Sequence, residues 1–190
     1  MAFWAAAYNG TNGKDPKRGF RFKVEIAGLN NKEIVWFAKK VDKPNFDITE
    51  SKHSFLDKEY YFPGRVQWQT INLTLVDPVA PIDCVEQTNK IIENSGYSID
   101  ETAATLSLKT MNKQKATKAL SLFKITQIDG DGNDVEVWEL KNPFIKNVKY
   151  GELSYESDDL VEIQLEIRYD WAQCDVKTAT GVRFDSSRSS

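Results

Sequence analysis

Ile163-Gln164-Leu165-Glu166-Ile167-Arg168-Tyr169-Asp170-Trp171 is the stretch that decides the fold class. Every odd position is apolar or aromatic and every even one is polar or charged. A period of two belongs to a strand with one face on a core and the other in water. The same phase recurs near the other end of the chain, where Phe20, Phe22, Val24 and Ile26 alternate with Arg21, Lys23 and Glu25. After a turn over Ala27–Lys32, Glu33–Val41 reads as a second strand. Its run Ile34-Val35-Trp36-Phe37 puts apolar side chains on both faces, so both faces need cover.

Working inward, Pro44 breaks the pattern, and Phe46 and Ile48 open a strand that runs into the polar segment Thr49–Lys58. Tyr60-Tyr61-Phe62-Pro63-Gly64 then reads as the return arm of a long hairpin. Val66–Val76 is expected to be one strand. Its apolar phase slips from Val66 and Trp68 to Ile71, Leu73 and Leu75, as a β-bulge would make it do. Asp77-Pro78 signals a helix start, Ile82, Val85, Asn89 and Ile92 keep helical spacing, and Asn94-Ser95-Gly96 ends the helix.

Tyr97–Leu120 fits either a strand or a short helix around Ala103, Ala104, Leu106 and Leu108, and Lys109, Lys113, Lys115 and Lys118 form a solvated basic patch. Leu122–Ile128 and Val135–Leu140 are strands joined by a turn at Asp129–Asp134, and Pro143–Tyr150 is extended. A turn at Ser157-Asp158-Asp159 precedes the last strand. The expected fold is mainly β, an antiparallel sandwich or barrel with one flanking helix and a long extended hairpin. The expected organisation is an arm over 1–19, a β domain over 20–171 with an insertion near 97–120, and a tail over 172–190.

Composition narrows the function classes. A chain of 190 residues with 41% hydrophobic residues can bury one sizeable core. Twenty-five Lys and Arg against 28 Asp and Glu leave a net charge of -3, so there is no basic excess to neutralise phosphates. Cys84 and Cys174 lie far apart and read as two free thiols. No apolar run is long enough to span a bilayer, so no membrane insertion is expected. Met1–Gly10 lacks the basic and apolar regions of a secretion signal.

No catalytic constellation is expected, and no cofactor or metal. The single histidine, His53, falls on the polar hairpin and reads as a solvated residue, not as a base. Asp129-Gly130-Asp131-Gly132-Asn133-Asp134 resembles the start of a calcium loop. However, its sixth position is Asp134 where glycine is required, and its twelfth is Leu140 where glutamate is required. Asp-Gly between strands is first a hairpin turn. Gly10–Gly19 has glycines but no phosphate-loop signature. The alternation of Phe20 and Phe22 with Arg21 and Lys23 separates rings from cations, which argues against a base-stacking platform.

Candidate contact residues are aromatic. Phe3, Trp4 and Tyr8 crowd an arm otherwise made of turn formers, and Phe55, Tyr60, Tyr61 and Phe62 crowd the hairpin. The Tyr60–Phe62 run either caps its own core or meets another subunit, since aromatics are enriched in interface cores. Glu162, Gln164, Glu166 and Asp170 form the polar face of the last strand. That face is either an ordinary solvated surface or the wall of a channel.

The order of these segments resembles the tail tube proteins of T4-like contractile-tailed bacteriophages. The matching parts are the opening strand Phe20–Ile26, the strand-to-proline turn Ala38–Asn45, the long arm Phe46–Gly64, the strand Ile71–Asp77 leading into the helix Ile82–Ile92, and the closing hairpin from Glu152-Leu153-Ser154-Tyr155 to Trp171. The resemblance covers about residues 20–171, and it is one of order and spacing. It implies a non-enzymatic virion protein, made in the host cytoplasm and located in the tail. Six copies would close into a ring whose strands join around a lumen, and rings would stack with the long hairpin reaching the next ring.

The implied partners are further copies of the chain, a sheath protein, a baseplate tube initiator, a tape measure protein in the lumen, and DNA in transit without sequence-specific binding. On this reading Glu162, Gln164, Glu166 and Asp170 would face the lumen. Two related roles fit the same segments, a baseplate tube initiator and the inner tube of a contractile injection system. Outside the class, the alternative is a monomeric β-barrel that binds a ligand or single-stranded DNA.

Overall fold

The structure is a computed structural model that describes residues 17–27, 38–79, 83–99, 110–156 and 158–177. Ten strands and two helices follow in the order β1 (Phe22–Ala27), β2 (Ala38–Val41), β3 (Phe46–Phe55), β4 (Lys58–Trp68), β5 (Ile71–Val76), α1 (Cys84–Asn94), α2 (Lys113–Ala119), β6 (Leu122–Ile128), β7 (Asp134–Lys141), β8 (Phe144–Lys149), β9 (Glu162–Arg168) and β10 (Trp171–Val176). The mainly β, antiparallel fold expected from the alternation is the fold observed.

One four-stranded sheet, sheet A, runs β1-β6-β7-β10, and a second, sheet B, runs β2-β5-β9-β8. Alternation decides their inner faces. Val24, Ile26, Phe123, Ile125 and Leu140 from sheet A share one core with Ile71, Leu73, Leu75, Ile163, Leu165 and Ile167 from sheet B. Cys84 and Ile91 of α1 and Leu120 after α2 complete this core. The apolar burial of these side chains is the main stabilising term of the fold.

Several boundaries differ from the sequence reading, each for a physical reason. Val66–Val76 is not one bulged strand. Val66 and Trp68 end β4 of the hairpin, and after Gln69 and Thr70 the chain enters sheet B as β5, so the phase slip marks a change of sheet. The helix does not start at Asp77. Asp83 is its N-cap and accepts from the Glu86 amide at 3.1 Å, while the Asp77 carboxylate accepts from the Cys84 amide at 3.0 Å from outside the helix.

A second helix, α2, joins the expected single one. Asn112 caps it by accepting from the Lys115 amide at 2.8 Å, and it packs on α1 and β8. The last strand ends at Arg168, and the chain turns at Asp170 and returns as β10 along β7. Ala172–Val176, expected in a tail, are therefore part of sheet A. Of the expected second strand only Ala38–Val41 is described. Ile34–Phe37 lie outside the described residues, as do Ala103–Leu108.

The Asp129–Asp134 segment is the β6–β7 turn. The Asp129 carboxylate accepts from the backbone amides of Asp131 and Asn133 at 2.9 and 2.8 Å. The hydrogen bonds from the Asn133 side chain and backbone hold its pKa below the usual value. Both cysteines are free thiols, and burial, helped by Asp77 and Asp83, pushes Cys84 up to about 11.

Candidate assembly surfaces

β3 and β4 form a two-stranded sheet of their own. Every residue of β3 is exposed, and so is every residue of β4 except Trp68. Eleven residues at about 3.3 Å each give β4 a length of ~35 Å. The pairing places Phe46 opposite Trp68 and Ile48 opposite Val66, so these four share one face near the base. Phe46 meets Trp68 edge-on at 5.0 Å between ring centroids, and Trp68 meets the buried Tyr169 at 5.9 Å. The hairpin is thereby rooted in the core at the end of β9.

The register shifts between Ile48 and Glu50 on β3, where the opposite strand advances from Val66 to Pro63. The Thr49 hydroxyl accepts from the Arg65 amide at 2.8 Å and donates to the Arg65 carbonyl at 3.2 Å, which closes the bulge. Beyond it, Lys52, Tyr61 and Glu59 continue the face of Phe46, whereas Phe62, Tyr60 and Phe55 lie on the opposite face with His53 and Lys58. Apolar surface is therefore on one face at the base and on the other at the tip. Tyr60 and Tyr61, neighbours in sequence, point to different sides. Tyr61 donates to Glu59 at 2.8 Å, and Lys52 pairs with the same carboxylate. The Lys52 and Tyr61 hydrogen bonds lower the Glu59 pKa, and the bond to Glu59 raises that of Tyr61.

Of the two readings of the Tyr60–Phe62 run, a cap on its own core does not fit the exposure of these side chains. Phe55, Tyr60, Tyr61 and Phe62 are about half exposed or more. Phe3, Trp4 and Tyr8 lie outside the described residues. His53 sits opposite Tyr60 on the hairpin. Among the described residues no three His, Cys, Asp or Glu side chains gather where they could hold a metal ion. Among the same residues no helix is long and apolar enough to cross a membrane.

Glu162, Gln164 and Glu166 lie on the outer face of sheet B, since Ile163, Leu165 and Ile167 between them are buried. Asp170 follows in the same phase at the corner before β10. These acids are matched by lysines. Glu162 pairs with Lys39, Glu166 with Lys146 at 2.7 Å, and Asp170 with Lys113 at 2.7 Å and with the Asn142 amide at 2.9 Å. Lys39 and Lys146 both sit where the strand register shifts, and this brings their side chains to the outer face. The hydrogen bond from Lys146, then that from Thr70, lower the Glu166 pKa, and Lys113 and then Asn142 lower that of Asp170.

Glu136 is a functional side chain that no motif in the sequence marks. It lies in phase with Trp138 and Leu140, on the inner face of sheet A, and is almost fully buried. It accepts from Lys17, from Lys43 at 2.7 Å and from the Trp138 indole, and Lys43 also reaches Gln127 at 2.6 Å. Burial pushes its pKa up, but the hydrogen bonds from Lys17, Lys43 and Trp138 win and pull it down to about 2. Lys43 belongs to the short link between β2 and β3, so this buried cluster fixes the root of the hairpin to sheet A. The available signal was a lone acid in the apolar phase of a strand.

No family model matches the chain, and no curated protein matches it in sequence. Solved structures do share its fold. A chain of the PVC sheath/tube terminator, from an extracellular contractile injection system in the extended state, superposes with a TM-score of 0.60 at 13% identity, covering 85% of this chain and 97% of that one. A chain of the six-fold symmetrised baseplate of the anti-feeding prophage gives 0.59 at 14% identity, with 85% and 96% covered. A chain of the PVC sheath-tube complex gives 0.56 at 14% identity, with 93% and 99% covered. The chain thus shares its fold with chains of these assemblies, over 85–93% of its own length.

Proposed function

We propose that this chain is the repeating subunit of a contractile tail tube, a structural protein whose working form is a stack of six-membered rings around a lumen. The observation that carries the reading is the β3–β4 hairpin, a ~35 Å projection with apolar patches on opposite faces that its own chain leaves exposed. A two-stranded ribbon of this length is marginal alone and is explained by a neighbour that covers it. Among the described strands, β1 and β10 edge sheet A and β2 and β8 edge sheet B, so lateral pairing between copies has strands to use. A sheath outside the tube, an initiator at the baseplate, a tape measure chain within the lumen and DNA in transit are the further partners of this role.

The outer face of sheet B is our proposal for the lumen wall, with Glu162, Gln164, Glu166 and Asp170 on it. Its acids mask lysines. Lys39, Lys146 and Lys113 are each held by a carboxylate of the same subunit, while Lys40, Lys149 and Arg168 share the face, so the ion pairs reduce the cations that a passing phosphate meets without removing them. Each cation held in a pair is one fewer to release counterions from DNA and hold it.

A second reading rests on the fold likeness to chains of a sheath/tube terminator structure and of a baseplate structure, which is as close as that to the sheath-tube complex. A terminator or initiator would stop at one ring. Electron microscopy of the purified full chain separates the readings. Long hollow tubes support the tube subunit, single rings support an end piece, and dispersed single chains contradict both.

A further inference from the structure

Gln127 of β6 and Glu136 of β7 stand opposite each other in the register of sheet A, and both are almost fully buried. Buried polar side chains need partners, and these two draw theirs from the same two segments. Glu136 accepts from Lys17 at one carboxylate oxygen and from Lys43, at 2.7 Å, at the other. Gln127 accepts from Lys43 at 2.6 Å through its amide oxygen and donates to the Arg18 carbonyl at 3.2 Å through its amide nitrogen. Two parallel bridges therefore join residues 17–18, just ahead of β1, to Lys43 in the link between β2 and β3.

The neighbouring acids are engaged elsewhere. Asp42, beside Lys43 in the chain, accepts from the Asn72 side chain at 2.9 Å. Asp134, the preceding carboxylate of β7, pairs with Lys23 at 2.8 Å and with Lys177 at 3.5 Å. The Trp138 indole donates to the same oxygen of Glu136 that receives Lys43.

The bonds also have a direction. A side-chain amide has a donor end and an acceptor end. Turned over, Gln127 would set its nitrogen against an ammonium group and its oxygen against a carbonyl, so the Arg18 carbonyl fixes which end faces Lys43. In the same way Lys17 holds one oxygen of Glu136 and leaves the other aimed at Lys43. Lys43 then reaches the hairpin through a stiff connection. Pro44 follows it, with a φ fixed by its ring. The Asn45 carbonyl accepts from the Gln69 amide at 3.0 Å, where the chain leaves β4.

We infer that Gln127 and Glu136 are positioning residues that couple the chain ahead of β1 to the β3–β4 hairpin. Residues 17 and 18 orient the two acceptors, the acceptors hold Lys43, and Lys43 sets the root of β3. A contact that grips or displaces the chain at Lys17 is felt at the hairpin, and by linkage a contact on the hairpin is felt at Lys17. The coupling lies within one subunit, so it goes beyond the proposed role in assembly and does not depend on it.

The test uses the full chain at a dilution where sedimentation shows single copies. Amide exchange is read at the hairpin root, residues 45–48 and 66–69, with 163–167 of β9 as the core reference. Lys17→Ala is expected to quicken exchange at the root about fivefold and to leave β9 unchanged. Lys17→Arg keeps a cation and is expected to stay close to the natural chain. In a Glu136→Gln background Lys17→Ala is expected to add much less, because its route to Lys43 is already weakened. Exchange at the root that Lys17→Ala leaves unchanged overturns the coupling. Slower exchange, as the loss of a competitor for Glu136 would give, overturns it too. So does an equal rise at the root and in β9, which marks a general loss of stability, and so does an undiminished effect in the Glu136→Gln background. Because copies are kept apart, a chain that never builds tubes leaves this test intact. A chain that builds them while its root ignores Lys17→Ala refutes the coupling alone.

Discussion

Thr49 and Gly64 meet at the register shift of the β3–β4 hairpin so closely that a side-chain carbon at position 64 would lie 2.4 Å from the Thr49 hydroxyl oxygen and 2.9 Å from its carbonyl oxygen. The bulge exists because position 64 has no side chain. It is this bulge that reverses the phase of β4 and brings Tyr60 and Phe62 to the face of Phe55, opposite that of Phe46 and Trp68.

Gly64→Ala is therefore expected to strain the bulge by about 1–3 kcal/mol. Amide exchange should quicken in the hairpin over 46–68 while the melting of the core, read at the amides of β6 and β9, stays put. Assembly should fall with it. Unchanged exchange across the hairpin would show that the bulge absorbs the methyl group.

Glu136 gives a pH dependence. Its carboxyl lies at about 2 in the fold against an ordinary value of 4.5. A folded-state value below the unfolded one means that its stabilisation is complete above about 4.5 and is lost as pH falls through about 2. Glu136→Gln is expected to remove about 2 kcal/mol at neutral pH and to flatten this part of the acid limb in urea titrations. An acid limb identical to that of the natural chain would mean that Lys17 and Lys43 do not hold the carboxylate in solution.

Leu56→Gly relieves the left-handed backbone at the hairpin tip, where Leu56 has a φ of +55°. The isolated subunit should gain about 1 kcal/mol of local stability, visible as slower amide exchange at the tip. Tube or ring formation should weaken at the same time. Strengthened assembly would count against any contact by Leu56.

The masking of lysines on sheet B can be removed with Glu162→Gln and Glu166→Gln together. Assembled tubes of the double variant are expected to retain more labelled DNA at physiological salt than tubes of the natural chain, with a retention that falls as salt rises. Equal, salt-independent behaviour of the two would place these side chains away from the DNA path.

Much of the framework was legible because one-sided burial imposes strict alternation. Ile163, Leu165 and Ile167 in β9 and Val24 and Ile26 in β1 are buried as their phase requires. The helix end at Asn94–Gly96 was also readable, because Ser95 and Gly96 close it with backbone bonds to the last turn. The α2 helix was not, since only Ala119 of it is buried and its lysine-rich surface has no apolar period to detect. The passage from Trp68 to Ile71 looked like a bulge because two strands of different sheets follow one another with two residues between them. At the candidate surfaces the composition of Tyr60-Tyr61-Phe62 was plain, and so was its alternation, but which of these side chains shares the face of Phe46 and Trp68 depends on the Thr49–Gly64 bulge and on register. The Glu136 cluster draws on Lys17, Lys43 and Trp138 from three separate segments, which no local pattern brings together.

Sedimentation velocity of the purified full chain over a rising concentration series decides whether its working form is an assembly of identical copies. The single chain is expected to give way to a six-membered species and to larger bodies built from it. One species of single-chain size at every concentration, with the hairpin still exposed, would contradict it.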